Sequence, residues 1–256
     1  MELNLAGRTA LVTGASKGIG LGIARRFAQE GCNLILSARS AAALDAAADG
    51  IRKSAQVNVR TLALDLSDQA QRDKLVAAAP DIDILVNNAG AIPGGDIFAV
   101  DDKAWRTGWE LKVFGYVNLT RAYFTLMRER KRGVIINICG AGGETLTSGY
   151  IAGAAGNASL MAFSRALGGT SIDYGIRVVA VNPGPVETDR VVYLAKQRAA
   201  SHGDESKWRD DFARMPYGRP ADVDEIAPMV VFLASDLARY VSGTVVTIDG
   251  GLQHHR

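Results

Sequence analysis

The feature that most narrows the choice of fold is a glycine-rich junction. The segment Thr13-Gly14-Ala15-Ser16-Lys17-Gly18-Ile19-Gly20 follows the apolar run Thr9 to Val12 and leads straight into the helical periodicity of Ile19 to Glu30. A strand, a glycine turn and a helix N-terminus in that order leave unpaired N–H groups and positive dipole facing one point, with few side chains to keep a phosphate group away. Further short apolar runs recur at Leu34 to Leu36, Val59 to Leu64, Ile82 to Val86, Val134 to Ile138, Val178 to Val181 and Val245 to Ile248. Helix-periodic stretches such as Gln69 to Ala79 and Val223 to Ala234 fall between them, and the Ala-rich Ala41 to Ala48 reads as a helix. Continuous apolar strands separated by helices predict an α/β chain whose parallel sheet is covered by helices on both faces.

Composition limits the partners. At 256 residues, 48% hydrophobic and 22% charged, residues 1–256 are expected to form one domain with a sizeable core. The net charge of +2 is spread without a basic block, which argues against nucleic acid. No apolar run approaches the roughly 18 residues of a membrane span, and Met1 to Arg8 lacks the layout of a secretory signal, so a cytoplasmic protein is expected. Cys32 and Cys139 read as packing residues rather than a disulfide. Of three histidines two are the pair His254-His255, so no metal site is expected. The stretch 188–215 is polar and uneven, includes Ser201-His202-Gly203-Asp204-Glu205, and holds the aromatics Tyr193 and Trp208. It breaks the strand–helix rhythm, and two readings stand: a substrate lid and a surface insertion.

The glycine turn resembles the Thr-Gly-x-x-x-Gly-x-Gly motif of the short-chain dehydrogenase/reductase family, and the resemblance runs nearly end to end. Asp65-Leu66 is similar to the family's adenine-contacting pair, and Asn87-Asn88-Ala89-Gly90 to its Asn-Asn-Ala-Gly motif. Asn182-Pro183-Gly184, followed by Val186 and Thr188, is similar to its segment beside the nicotinamide, and Asp249-Gly250-Gly251 to its ending. The resemblance implies a single-domain, Rossmann-type, doubly wound parallel sheet with a dinucleotide held by Gly14, Ser16, Lys17, Gly18, Ile19, Gly20, Asp65, Leu66, Asn88, Ala89, Gly90, Asn157, Pro183, Gly184, Val186 and Thr188. It also implies a homo-oligomer, a tetramer formed through the helix near Val223 to Ala234 and the strand Thr244 to Asp249. The second strand ends Ser37-Ala38-Arg39-Ser40, without the carboxylate that would hold a ribose 2′-hydroxyl. Arg39, with Lys17, suits a 2′-phosphate instead, so NADP(H) is expected over NAD(H).

The family's Asn, Ser, Tyr and Lys group is where the pattern breaks. Counting from Val134 to Ile138 puts the Ser position at Gly140, and counting back from Arg165-Ala166-Leu167 puts Tyr at Gly153 and Lys at Asn157. Lys112 stands at the Asn position, with Asn118 three residues too late. No tyrosine has a lysine four residues after it. Tyr150, three residues before Gly153, is the nearest phenol. Its spacing to Asn157 is similar to the Tyr-x6-Lys of the divergent enoyl-reductase branch. Asn157 is suited to a ribose hydroxyl, and Lys112 to supplying the cation that would lower the Tyr150 pKa. Glu144 is a further candidate acid, whereas Cys139, with no histidine nearby in sequence, has little support as a nucleophile. Three functions therefore stay open. One is an NADP(H)-dependent oxidoreductase with an atypical acid/base site, acting on a small carbonyl or activated C=C compound. Another is a dinucleotide-binding protein with little dehydrogenase activity, a sensor or partner subunit. The third is unrelated chemistry, elimination or hydration, at the same cleft.

Overall fold

The computed structural model describes residues 2–201 and 203–254; Met1, His202 within the 188–215 stretch, His255 and Arg256 lie outside the described residues. The strands are β1 (Thr9–Thr13), β2 (Asn33–Ala38), β3 (Val59–Ala63), β4 (Ile84–Asn87), β5 (Gly133–Ile138), β6 (Ile176–Pro183) and β7 (Thr244–Ile248). They form one seven-stranded sheet in the order β3-β2-β1-β4-β5-β6-β7, every neighbour parallel. The helices are α1 (Gly18–Gln29), α2 (Ala41–Ser54), α3 (Gln69–Ala78), α4 (Asp102–Trp109), α5 (Gly115–Arg130), α6 (Gly142–Thr145), α7 (Ile151–Thr170), α8 (Asp189–Ser201) and α9 (Val223–Ala234). A single π turn, Glu110–Phe114, joins α4 to α5.

Alternation along the strands sends successive side chains to opposite faces, and each face has its own helices. Val12, Leu36, Val86 and Ile136 pack with Phe27 of α1, Leu44 of α2 and Val230 of α9. Leu11, Ile35, Leu85 and Ile135 pack with Leu75 of α3 and with Leu119, Tyr123 and Met127 of α5, and Leu167 of α7 joins them. This is the doubly wound α/β arrangement expected from the alternation of strands and helices.

Element lengths differ from the apolar runs for local reasons. β2 and β6 extend beyond theirs because a neighbouring strand keeps pairing past the apolar run: β5 carries Ile176 and Arg177, β7 carries Asn182 and Pro183, and β1 and β3 carry the ends of β2. α2 runs past Ala48 to Ser54 because Leu44, Ala47, Ala48 and Ile51 keep one stripe buried, and Ser40 caps its start by accepting the Ala43 amide. In the 188–215 stretch α8 folds back on a 3₁₀ segment, Glu205–Phe212. Trp208 packs edge-on to Phe212 at 5.7 Å with Arg209 stacked over it at 4.4 Å, whereas Tyr193 is exposed. Cys32 and Cys139 are buried and unbonded to each other. Among the described residues no helix is long and apolar enough to cross a membrane, and no group of three or more His, Cys, Asp or Glu residues is placed to hold a metal.

Where α7 crosses β6 and the start of β7, space is decided at a single residue. A Cβ on buried Gly168 would fall on the Gly243 backbone and the Val178 carbonyl, while one on the exposed neighbour Gly169 would meet nothing. Gly168→Ala is expected to destabilise the protein by about 1–3 kcal/mol through forced backbone shifts. Gly169→Ala is expected to stabilise it by about 0.4–1 kcal/mol by restricting the unfolded chain. Urea unfolding of the two variants checks both signs.

Candidate active site

Strand order reverses between β1 and β4, and at the carboxyl ends of those strands lies a cavity of about 600 Å³. Its floor is the glycine turn. Gly14 and Gly18 both take the left-handed backbone, with φ of 67° and 56°. A Cβ on Gly14 would come within 2.9 Å of the Ala89 Cα, and one on Gly20 would fall on the Gly14 carbonyl and the Asn88 amide. Asn88 closes the turn from the β4 side, donating to the carbonyls of Thr13 at 2.9 Å and Gly14 at 3.3 Å. The Thr13 hydroxyl accepts the Asn88 and Ala89 amides at 2.9 and 3.0 Å. Lys17, extended at the start of α1, provides no side-chain cap, and the first turn holds no acidic residue, so the helix dipole is left uncompensated at the cavity.

Of the residues expected to hold a dinucleotide, Gly14, Ser16, Lys17, Gly18 and Ile19 line one end of this cavity together with Arg39 and Leu66. Asn88, Ala89 and Gly90 form one side, and Pro183, Gly184 and Thr188 the other. Four stand off the wall. Gly20 is buried beneath the turn. Asp65 lies beside Leu66. Val186 is buried in the core, bridged to Ala221, and Asn157 sits behind Gly140. Burial pushes the Asp65 carboxyl up, but the Ser67 hydroxyl and amide, together with the Arg39 charge, hold it below its usual value.

The inner end of the cavity carries the departures from the family pattern. Lys112 sits in the π turn, and its stem passes Gly90, where a Cβ would come 2.8 Å from Lys112 Cδ. Lys112 lines the cavity, and its ammonium donates to the carbonyls of Cys139 at 2.9 Å and Ile138 at 3.2 Å. Desolvation, aided by the Arg190 charge and opposed by Cys139, brings its pKa down to about 8. The Tyr150 ring lies over Gly153 so closely that a Cβ there would overlap it, and it also touches Gly142. Tyr150 does not line the large cavity; its other neighbours are the apolar group around Ile92, Val100 and Ala152. Burial raises its pKa, against the opposing pull of Arg190 and of the hydrogen bond from Asn157. Asn157 is buried, its amide nitrogen 3.2 Å from where a Gly140 Cβ would stand, and its Oδ1 has no partner.

Two groups escaped sequence reasoning. Arg190, at the start of α8, lines the cavity and reaches back to donate to the Ile92 carbonyl at 2.6 Å. Its charge opposes the rise that burial causes in the Tyr150 pKa. Nothing in its local sequence marks it. Tyr116 shares the Ile138 carbonyl with Lys112, donating to it at 3.2 Å from a fully buried position. A search for lysine four residues before tyrosine would have paired them on one helix face. Cys139 is buried, with its thiol pushed up to about 12 by burial first and by Glu144, against Lys112. Glu144 turns away from the cavity. One of its oxygens accepts Asn182 at 2.6 Å, Gln253 at 2.5 Å and Thr247 at 3.1 Å, which joins the loop after β5 to β6, β7 and the C-terminal turn.

The chain is similar to known proteins over nearly its whole length. A profile of the family described as Enoyl-(Acyl carrier protein) reductase matches residues 14–253. The chain is 33% identical over 254 residues to the 3-oxoacyl-(acyl-carrier-protein) reductase of Escherichia coli (strain K12), covering 98% of this chain and 99% of that protein. It is 37% identical over 253 residues to the galactitol 2-dehydrogenase (L-tagatose-forming) of Cereibacter sphaeroides, covering 96% and 95%. Among solved structures it is similar to the L-sorbose reductase from Gluconobacter frateurii complexed with NADPH and L-sorbose, at 32% identity and a TM-score of 0.91 over 99% of both chains.

The Glu144 junction predicts its own phenotype. Glu144→Ala leaves the Asn182 amide and Gln253 without their shared acceptor and is expected to cost roughly 1–3 kcal/mol. Thermal unfolding should show that loss, and amide hydrogen exchange should show faster opening of residues 250–254.

Proposed function

Because the chain belongs to the short-chain dehydrogenase/reductase family, we propose that it is an NADP(H)-dependent oxidoreductase with a rearranged acid/base group, reducing a small carbonyl or activated C=C compound. The observation that carries this reading is the Tyr150 ring over Gly153: a phenol arrives from residue 150 in the space that a side chain at 153 would have claimed.

The residues present fit a dinucleotide. In this reading Gly14, Ser16, Gly18, Ile19 and the uncapped start of α1 hold the pyrophosphate, and Arg39 and Lys17 the 2′-phosphate. Asp65 and Leu66 meet the adenine end, with Asn88, Ala89 and Gly90 along the wall. The unpartnered Asn157 Oδ1 takes a ribose hydroxyl. Pro183, Gly184 and Thr188 flank the nicotinamide with Val186 fixing the backbone behind them, and Gly20 supports the glycine turn from beneath. The similarity to a reductase solved with NADPH supports the phosphorylated dinucleotide. When bound and reduced, the nicotinamide supplies a hydride. The protein supplies the proton: Lys112 holds one at its Nζ on the cavity wall, Tyr150 holds one at its Oη, and Asn157 steadies the phenol. The 188–215 stretch serves as the lid within the single domain, since Thr188 packs against Gly18 and Asp189 lies 3.9 Å from Lys17. The reading also includes a cytoplasmic homo-tetramer, supported by β7 at the sheet edge and by exposed Met229, Leu237 and Tyr240.

A second reading, a dinucleotide-binding sensor or partner subunit with little turnover, is favoured by the place of Tyr150 off the cavity wall and by its raised pKa. Kinetics separate the two. NADPH is expected to bind at least about tenfold more tightly than NADH, the low end for a charge-assisted phosphate contact, and Arg39→Ala should remove most of that preference. Titration of both dinucleotides measures it.

With a panel of ketones, quinones and enones, Tyr150→Phe is expected to lower turnover by about 10²-fold or more while leaving NADPH affinity nearly intact. Reduction by the native protein should fall as pH rises through about 8, where Lys112 loses its proton, and Lys112→Met should abolish that limb. Binding of NADPH without consumption across the panel establishes the second reading instead.

A further inference from the structure

Hydride and proton delivery leave one strong group at the inner cavity unexplained. Arg190 carries a full positive charge on the wall, and among the described residues no carboxylate pairs with it. The nearby acids are engaged elsewhere. Asp189 lies toward Lys17 at 3.9 Å, Asp101 caps α4 by accepting the Ala104 amide at 2.7 Å, and Glu144 is held by Asn182, Thr247 and Gln253. The bond to the Ile92 carbonyl uses one guanidinium nitrogen and braces the side chain across the gap between α8 and the loop after β4. From there Arg190 borders a second, wide-open cavity of about 460 Å³ on the surface, flanked by Ile92, Pro93 and α4, as well as the first. Lys112 lines the same cavity, held by two carbonyl oxygens and lying 5.7 Å from the centre of the Tyr116 ring, and the Arg190 charge is part of what depresses its pKa.

A guanidinium braced by a carbonyl where the two cavities meet, with the Lys112 ammonium on the wall of the first, forms an anion site. A guanidinium fork matches the two oxygens of a carboxylate, and one negative charge there relieves the repulsion between the cations. We propose that the substrate is an oxo acid whose carboxylate is held by Arg190 at the junction of the two cavities, with its carbonyl turned toward Lys112 and Tyr150. The carboxylate site rests on geometry alone; the fate of the carbonyl rests on the reductase reading above. There the oxo acid leaves as the hydroxy acid, its carbonyl carbon gaining the hydride and its oxygen a proton while the dinucleotide is oxidised.

Calorimetric titration with a series of oxopentanoates, the carbonyl moved stepwise along the chain and each acid set beside its methyl ester, tests the site without requiring turnover. The protein is titrated alone and loaded with NADP⁺. At the preferred spacing the acid should bind at least about tenfold more tightly than its ester, the low end for a charge-assisted contact. Arg190→Met should bring the ratio close to one, and Arg190→Lys, which keeps the charge but loses the fork, should retain part of it. Equal binding of acid and ester by the native protein, no binding of any acid, or a preference that survives in folded Arg190→Met overturns the proposal. NADPH consumption is then followed with the same compounds. An acid that binds through Arg190 and is not reduced leaves the carboxylate site standing and removes the reductase reading. Equal binding and equal reduction of acid and ester does the reverse.

Discussion

The site depends on one close approach between backbones. α1 can start where it does only because no side chain separates its first turn from the ends of β1 and β4. Gly20 packs under the Gly14 carbonyl, and the Asn88 amide bridges the carbonyls of Thr13 and Gly14. The Thr13 hydroxyl completes the clamp by receiving the two amides that follow β4. Any added carbon at Gly14 or Gly20 pushes the helix from the sheet, and with it the free N–H groups that give the cavity its positive end. The cavity's position, its charge and the direction from which a dinucleotide enters all follow from that contact.

The same economy of side chains recurs at the inner end, where it relocates functional groups. Gly90 lets the Lys112 stem through to the wall, Gly140 leaves room for the Asn157 amide, and Gly153 admits the Tyr150 ring. In each case a missing Cβ at one position is filled by a long side chain from another. The vacated space is therefore occupied rather than hollow, which a packed interior requires, since an unfilled void forfeits contacts on every side. Residues that read as losses along the sequence become, in three dimensions, exchanges of position.

The fold was legible because its signals are local and repeated. Apolar runs, helical stripes and the glycine turn each constrain a few neighbouring residues, and their alternation leaves few topologies. Thirteen of the residues assigned to the dinucleotide from motifs, from Gly14 to Thr188, do line the cavity, since those motifs encode backbone shape. The inner site was less legible because it is assembled from distant segments. Tyr150 was identifiable as the nearest phenol, but not that Arg190, forty residues on, would be the charge it feels. Glu144 looked like a free acid at the mouth of the sheet, and nothing in its neighbourhood announces the three donors from β6, β7 and the C-terminal turn that hold it. Lys112 and Tyr116 stand at helical spacing in the sequence, yet their shared acceptor belongs to β5.

Burial also bears on the direction in which the proposed chemistry runs. Removing a group from water penalises its charged form, so the same desolvation acts with opposite sign on an acid that ionises to an anion and on a cation that loses its charge. Here it raises the pKa of Tyr150, pushes the Cys139 thiol to about 12 and lowers Lys112 to about 8. At neutral pH the phenol and the thiol stay neutral and protonated, and the ammonium still carries most of its proton. Of the three, only Lys112 gives up its proton without leaving a buried charge behind; the phenol and the thiol would each leave an anion that burial penalises. An alcohol oxidation would need Lys112 to have lost its proton first, which happens only as pH rises through about 8. A reduction begins with the groups in the states the fold already imposes, which is why the reductive direction is the one the proposed reading adopts.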